Sequence, residues 1–246
     1  MSQPIIEVKK VSMRFRLAKE RTDSLKEYLL KKLHGSIQYE EFYALKNVSF
    51  QLPRGESLAL IGRNGSGKST MLKIIAGVFS PTSGSVNVRG TVAPLIELGA
   101  GFDSELTAKE NIFLNGAVLG HNRAFMARHF DEIVSFAELE EFIDVPIKNF
   151  SSGMVARLGF SIATVVAADI LVVDEILSVG DYAFQQKCHE RMERLLAEGT
   201  TLLFVSHTDQ QVKALCKQAI WLEHGEIREV GPSAEVCDHY QQESSL

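Results

Sequence analysis

The sequence predicts an α/β fold with a mostly parallel core sheet, and three observations lead to this prediction. Short apolar segments alternate with longer segments of helical periodicity along most of the chain. The segments at residues 57–61 and 170–173 are apolar almost throughout, as expected of strands that are buried on both faces of a parallel sheet. A glycine-rich turn at residues 62–67 joins the first of them to a helix, as in a βα unit. Because no repeat, low-complexity tract or linker divides the chain, one domain over residues 1–246 is predicted.

The composition is that of an ordinary globular protein and excludes several classes. Of 246 residues, 45% are hydrophobic and 23% are charged, and the net charge of -5 gives no support for a nucleic-acid-binding surface. Cys188, Cys216 and Cys237 are odd in number and scattered, which indicates a reducing compartment rather than a disulfide framework. No secretion signal is expected, and the longest apolar run, residues 158–168, is too short to span a bilayer.

The N-terminal region is predicted to contain two strands separated by an unusual insertion. Residues 5–15 and 44–52 are expected to form two strands that pair as a hairpin-type unit. Apolar and polar side chains alternate within residues 44–52, as is typical of a strand. Between them, about residues 22–34 are predicted to form a basic amphipathic helix, which Ser24 and Glu27 would open as a capping box. Its apolar face would contain Leu25, Tyr28, Leu29 and Leu33.

The rest of the chain alternates between strands and helices. Beyond residues 57–61 and 170–173, strands are predicted at residues 84–88, 90–98 and 200–205. Helices are predicted at residues 70–76, 107–118, 123–139, 153–167 and 184–197, and a short one at 233–242. Three consecutive helices place a helical subdomain at about residues 104–168.

Residues 62–70 form the most informative motif. They match the phosphate-loop pattern GxxxxGK[ST], with a buried strand before them and a helix after them. Such a turn directs backbone N–H groups and the positive end of a helix dipole at one place, which suits a polyphosphate. Lys68 is predicted to reach the terminal phosphates and the Ser69 hydroxyl to bind Mg²⁺. The candidate nucleotide-binding residues of this loop are Gly62, Arg63, Asn64, Gly65, Ser66, Gly67, Lys68, Ser69 and Thr70.

Polar side chains are expected at the same edge of the sheet, after two further strands. Asp174 and Glu175 follow residues 170–173, so Asp174 is a candidate ligand of Mg²⁺ and Glu175 a candidate base that polarises the attacking water. His207 follows residues 200–205 and is predicted to contact the γ-phosphate or to orient that water. A solvated acidic loop and a surface histidine are the alternatives, but the upstream phosphate loop favours the catalytic roles.

A second serine- and glycine-containing turn precedes a helix at residues 150–154, which read Phe-Ser-Ser-Gly-Met. Ser151, Ser152 and Gly153 would form a second anion-binding helix N-terminus. One nucleotide does not need two such sites, whereas a head-to-tail dimer does, because each turn could close over the nucleotide of the other copy. The alternative is an ordinary helix cap formed by one of the serines.

These motifs, in this order and over essentially the whole chain, resemble the ATP-binding cassette (ABC) ATPases. The resemblance implies a P-loop NTPase fold with an antiparallel β subdomain, ATP and Mg²⁺ as ligands, and a homodimer that encloses ATP. Residues 150–154 stand where the family has LSGGQ, and residues 178–181 where it contacts the partner subunit. Phe15 is similar to the aromatic residue that stacks on adenine, with Tyr43 as the other candidate.

Two departures from the family pattern point to one branch of it. The signature reads FSSGM, and Glu97 replaces the usual glutamine, where it would either bind Mg²⁺ or sense the membrane partner. Together with residues 93–102 and 174–181, these features are similar to the ATPases of O-antigen, capsule and teichoic acid exporters. The resemblance implies export of a lipid-linked polysaccharide, with O-antigen on a polyprenyl pyrophosphate as the first choice.

The same resemblance implies the partners and the location. Two copies of a polytopic permease would bind the dimer at the cytoplasmic face of the bacterial inner membrane, with no nucleic acid involved. The insertion at residues 22–34 would lie at the membrane face, although a solvated helix fits its periodicity equally well. Residues 225–242 leave no room for an appended carbohydrate-binding domain. A soluble ABC ATPase without a transport role and a purely regulatory nucleotide-binding module are the rival hypotheses.

Overall fold

The computed structural model describes residues 3–18, 39–96, 99–165, 168–174, 180–206 and 208–244. The predicted insertion helix at residues 22–34 lies outside this part of the chain. The strands are β1 (Ile6–Ala18), β2 (Tyr39–Leu52), β3 (Ser57–Ile61), β4 (Ser83–Val88), β5 (Val92–Leu95), β6 (Ile170–Asp174), β7 (Thr201–Val205), β8 (Gln218–Glu223) and β9 (Glu226–Pro232). The helices are α1 (Lys68–Ile75), α2 (Ala108–Val118), α3 (Arg123–Ala137), α4 (Ser152–Val165), α5 (Tyr182–Ala197), α6 (Asp209–Leu215) and α7 (Ser233–Ser244).

The strands form two sheets. The larger has the order β5-β6-β7-β3-β8-β9, in which all neighbours are parallel except the antiparallel pair β8 and β9. The smaller is antiparallel, with β1 between β2 and β4. This confirms the predicted mostly parallel core sheet with an antiparallel β subdomain.

Both faces of the core sheet are covered, which explains its apolar strands. In β6, Ile170 and Val172 pack toward β1, β2 and α1, whereas Leu171 and Val173 pack toward α4 and α5 on the other face. Successive strand residues point to opposite faces, so a strand buried on both sides must be apolar at every position. A third apolar cluster joins α2, α3 and one face of α4.

Local signals set the helix ends. Thr107 and Glu110 form a complete capping box at the start of α2. The sequence predicted that the next helix runs to residue 139, but α3 ends at Ala137 because Glu138 adopts the left-handed conformation, with φ of 58°. The strand predicted at residues 90–98 is shorter, since β5 covers Val92–Leu95, and residues 97 and 98 lie outside the described part of the chain. Strand β8 and helix α6 were not predicted from the sequence at all.

Candidate functional site

The phosphate loop connects β3 to α1, and its shape depends on two glycines. Gly62 and Gly67 have φ of 138° and 107°, a region that side chains disfavour. A Cβ atom on Gly62 would lie 2.2 Å from the carbonyl oxygen of Leu222, and one on Gly67 would lie 2.4 Å from that of Ala44. The loop therefore passes so close to neighbouring backbone that only glycine fits at these positions.

Lys68 lies at the first position of α1, with its ammonium group held inside the loop. The residue is only 5% exposed, and Nζ donates hydrogen bonds to the carbonyl oxygens of Gly62 at 2.6 Å and Arg63 at 2.9 Å. Burial lowers the pKa of Lys68, and the negative charge of Asp174 opposes that shift. A partly desolvated cation at the opening of a helix is well placed to attract a phosphate oxygen.

A cavity of about 410 Å³ opens above this loop. Its walls come from the loop and α1, from both sheets and from the residue that follows β5. The lining residues are Phe15, Phe42, Ala44, Asn64, Gly65, Gly67, Lys68, Ser69, Thr70, Ile96, Asp174 and Val205. Six of the nine loop residues predicted to bind a nucleotide thus line one cavity, together with Asp174 and Phe15. Gly62, Arg63 and Ser66 are not part of the lining.

Two aromatic side chains border the cavity, and only one of them was a candidate. Phe15 and Phe42 are direct partners in the antiparallel register of β1 and β2, so their side chains share one face of the small sheet. Tyr43 pairs with Arg14 on the opposite face and is not part of the cavity lining. Phe42, which is 49% exposed, was missed because the insertion between the strands hides their register from the sequence.

Asp174 ends β6, at the carboxyl edge of the core sheet. Its backbone is paired with Val205 at the end of β7, and β7 is paired with β3, which leads into the phosphate loop. The parallel order of these strands therefore brings Asp174 and Ser69 to one cavity. A carboxylate and a hydroxyl are hard oxygen donors of the kind that Mg²⁺ prefers. Glu97, Glu175 and His207 lie outside the described residues, and their roles stay predictions.

The serine turn is placed away from the cavity of its own chain. Ser151 caps α4, since its hydroxyl accepts a hydrogen bond from the backbone N–H of Met154 at 3.2 Å. Ser151 and Ser152 are exposed, and none of the residues Ser151, Ser152 and Gly153 lines the cavity above the phosphate loop. The cap that the sequence offered as an alternative is present, and the turn remains available to a ligand carried by another molecule.

The phosphate loop is also held by backbone hydrogen bonds to a distant turn, which no sequence pattern predicted. The turn between β8 and β9 lies against the loop, where the backbone N–H of Gly225 donates to the carbonyl oxygen of Ser66 at 3.1 Å. The carbonyl oxygen of Gly225 accepts a bond from the N–H of Lys46, which links the same turn to β2. These three segments are far apart in sequence, so only the sheet order brings them together.

Comparisons with known proteins agree with this geometry. The family described as "ABC transporter" matches residues 45–178. The O-antigen export system ATP-binding protein RfbB of Klebsiella pneumoniae is 41% identical over 242 residues, which cover 98% of each chain. The teichoic acids export ATP-binding protein TagH of Listeria innocua is 43% identical over 237 residues, which cover 96% of this chain and 70% of that protein.

Solved structures show the same fold. A dimeric ATP-binding cassette in a post-hydrolysis state, bound to ADP and Pi, superposes with a TM-score of 0.74. It is 22% identical, and the match covers 93% of this chain and 98% of that one. The family match and the 41% identity over nearly the whole length decide the identity. The chain belongs to the ABC transporter family, as an ATP-hydrolysing subunit related to the ATP-binding proteins of O-antigen and teichoic acid export systems.

Proposed function

We propose that this protein is the ATPase of an exporter that moves a lipid-linked polysaccharide, O-antigen on a polyprenyl pyrophosphate, outward across the bacterial inner membrane. The observation that carries this proposal is the cavity in which Lys68, Ser69 and Asp174 meet beneath Phe15 and Phe42. An aromatic pair above a phosphate loop suits a nucleoside triphosphate, with the base against the rings and the phosphates at Lys68. The export substrate follows from the relatives that share about 41% identity.

ATP would be bound between two copies of the chain. The phosphate loop of one copy supplies Lys68, and the exposed turn of Ser151, Ser152 and Gly153 of the other supplies a second helix N-terminus. This arrangement explains why the turn lies on the surface rather than at the cavity of its own chain. Dimeric cassettes among the solved structures of this fold support it.

Mg²⁺ would be held by the Ser69 hydroxyl and the Asp174 carboxylate. Among the described residues, no group of three or more His, Cys, Asp or Glu side chains could hold a metal by itself. Mg²⁺ in nucleotide sites needs no such group, because phosphate oxygens and water complete its octahedral coordination. Glu175 would polarise the attacking water, and His207 would contact the γ-phosphate or orient that water. Glu97 would either be a further ligand of Mg²⁺ or sense the membrane partner.

A polytopic permease is the proposed membrane partner, in two copies. No helix among the described residues is long and apolar enough to cross a bilayer. A groove of about 240 Å³ beside β5 and α2, lined mainly by apolar residues that include Leu95 and Val118, is a candidate surface for contact with this partner. ATP-driven closure of the dimer, at the cytoplasmic face of the membrane, would pull on the helices of the permease that the dimer contacts.

Glu175→Gln provides the test of the ATP-enclosing dimer. The variant should bind ATP without hydrolysing it, because an amide cannot act as a base, and ATP should therefore hold two copies together. Light scattering with ATP and Mg²⁺ should report twice the mass of the 27.3 kDa chain. The wild-type chain after complete hydrolysis serves as the control and should be monomeric. A Glu175→Gln chain that stays monomeric at saturating ATP contradicts the proposal.

Teichoic acid export is the second candidate, because TagH of Listeria innocua is 43% identical. The two substrates differ in the polymer and not in the ATPase chemistry. Co-expression with a permease of the polysaccharide-exporter type should restore surface polysaccharide in one of two strains, which lack either the O-antigen exporter or the teichoic acid exporter. Restoration of O-antigen alone supports the first choice, and restoration of teichoic acid alone replaces it with the second.

A further inference from the structure

Arg157 occupies a place in α4 that the motifs do not explain. It follows the serine turn by little more than one helical turn, and its side chain is only 17% exposed. Its guanidinium donates from one Nη to Glu138 at 2.5 Å and from the other to Asp181 at 2.6 Å. The same group lies 4.7 Å from the ring centre of Phe184. A planar, permanently charged fork is the side chain best suited to hold two carboxylates at once.

The two carboxylates mark the ends of two other helices. Glu138 ends α3 in the left-handed conformation, and Asp181 is the N-cap of α5. The two oxygens of Asp181 divide their roles, since Oδ1 accepts from the N–H of Phe184 at 2.9 Å while Oδ2 accepts from Arg157. Arg157 therefore fastens the start of α4 to the end of α3 and to the first residue before α5.

The contacts of Arg157 with Glu138 and Asp181 connect two segments that would both contribute to the proposed ATP site. On one side, α4 begins at the serine turn that would contact the nucleotide of the second copy. On the other side, the chain between Asp174 and Asp181 contains Glu175, and its two ends are fixed by β6 and by the cap of α5. A displacement of about 1 Å in a catalytic group can cost roughly a hundredfold in rate, so the relative position of these ends matters.

We propose that Arg157 is a positioning residue for ATP hydrolysis, which sets the start of α5 relative to the serine turn. The inference rests on the proposed ATP-enclosing dimer. Arg157 touches neither the nucleotide cavity nor its lining residues, and it acts through Asp181 and α4. Loss of Arg157 should therefore slow hydrolysis within the dimer and leave nucleotide binding by the separate chain almost unchanged.

The chain offers a matched control for a purely structural role. Arg191 of α5 donates to Glu132 of α3 at 2.8 Å, and its guanidinium lies 4.7 Å from the ring centre of Phe136. Its side chain is 14% exposed, close to the 17% of Arg157. Arg191 thus also combines an ion pair with a ring contact, but it joins α5 to α3 and does not contact the cap of α5.

The experiment compares Arg157→Gln, Arg157→Lys and Arg191→Gln in the full-length chain. Thermal unfolding measures stability, a fluorescent ATP analogue measures binding, and phosphate release gives kcat and KM. Both glutamine variants should lower Tm by a few degrees, and Arg157→Gln by somewhat more, since it loses two ion pairs and a ring contact whereas Arg191→Gln loses one ion pair and a ring contact. Only Arg157→Gln should lower kcat, by about tenfold or more, with the dissociation constant of the analogue within about twofold of wild type. Arg157→Lys should recover part of kcat, because lysine keeps the charge but not the fork.

A second set of variants separates the ion pair from the helix cap. Asp181→Ser keeps a hydroxyl that can cap α5 but removes the partner of Arg157. If the pair acts as a unit, Arg157→Gln combined with Asp181→Ser should lower kcat no further than Arg157→Gln alone. Equal kcat values for Arg157→Gln and Arg191→Gln would overturn the inference, as would additive losses in the double variant. Failure of the ATP-enclosing dimer itself would appear separately, as a Glu175→Gln chain that stays monomeric with ATP.

Discussion

Lys68 in the phosphate loop carries a buried charge, and its placement favours ligand binding rather than stability. Its ammonium group is removed from most of the solvent, and among the described residues it is compensated by two backbone carbonyl oxygens and by the nearby Asp174. Burial of a charge is costly unless the charge is paired, and the lowered pKa reports this cost. The proposed partner is the phosphate of a bound nucleotide, so nucleotide binding should depend on this side chain.

Lys68→Met should therefore abolish the stabilisation that ATP gives to the folded chain. A ligand at about a hundred times its dissociation constant adds roughly 2.7 kcal/mol of stability, or about 5–10 °C in Tm for a chain of this size. Differential scanning fluorimetry with and without ATP and Mg²⁺ should find this rise in wild type and lose it in Lys68→Met. Lys73→Met, five residues later in α1 and outside the cavity lining, should keep the rise. A Tm rise of full size in Lys68→Met would contradict this role.

One side chain links the amino ends of three core strands, β3, β5 and β6, at the edge of the sheet opposite the cavity. Asp169, just before β6, accepts hydrogen bonds from the N–H and hydroxyl of Thr91 at 2.9 and 3.0 Å and pairs with Arg54 in the turn between β2 and β3. The bonds from Thr91, followed by Arg54, lower the pKa of Asp169 below its usual value. The charged form is therefore favoured by folding.

Asp169→Asn should reduce stability at neutral pH and weaken its dependence on acid. Because the pKa is lower in the folded chain, the carboxylate stabilises the fold above its unfolded pKa of about 3.9, and this contribution is lost as the pH falls through the folded pKa. Urea unfolding at several pH values should show a shallower loss of stability below about pH 4 in the variant. Asp131→Asn, an exposed position on α3, should follow wild type. An unchanged acid profile for Asp169→Asn would be evidence against this role.

At the scale of the whole molecule, the proposed working unit is a dimer. Each chain would bind one ATP with its phosphate loop and contact the other ATP with its serine turn. Gly153→Asp is a suitable variant of the serine turn. Within the described part of the chain, a Cβ atom on Gly153 would meet the Ser151 hydroxyl at an ordinary 3.7 Å, and aspartate is tolerated in the first turn of a helix. The new carboxylate would repel the phosphates that the second copy brings to it.

Mixing two inactive chains tests this arrangement. Lys68→Met and Gly153→Asp should each release almost no phosphate alone. A mixed dimer has one site with both partners intact, so an equimolar mixture should regain ATPase activity. The mixture of Lys68→Met with the double variant Lys68→Met/Gly153→Asp is the control and should stay inactive. Activity of the first mixture that does not exceed the sum of its components would show that the two motifs do not meet across chains.

The sequence predicted that Lys68, Ser69 and Asp174 come together at one edge of the sheet because the signals for this are local. A strand, a glycine turn and a helix in direct succession place Lys68 and Ser69, and an apolar strand that ends in Asp174 places a carboxylate at the same edge once the sheet is parallel. The spacing of residues 62–70 contains this information without any knowledge of distant segments. Glu97, Glu175 and His207 remain predictions, since they lie outside the described residues.

The sequence by itself determined the residue types of the phosphate loop, the alternation of strands and helices, and the family. Only the tertiary structure decided that Phe42 rather than Tyr43 faces the cavity, and that Arg157 joins Glu138 to Asp181. The physical reason is distance along the chain. Short-range backbone geometry fixes what neighbouring residues can form, whereas strand register and helix packing are set by the simultaneous burial of apolar faces from remote segments.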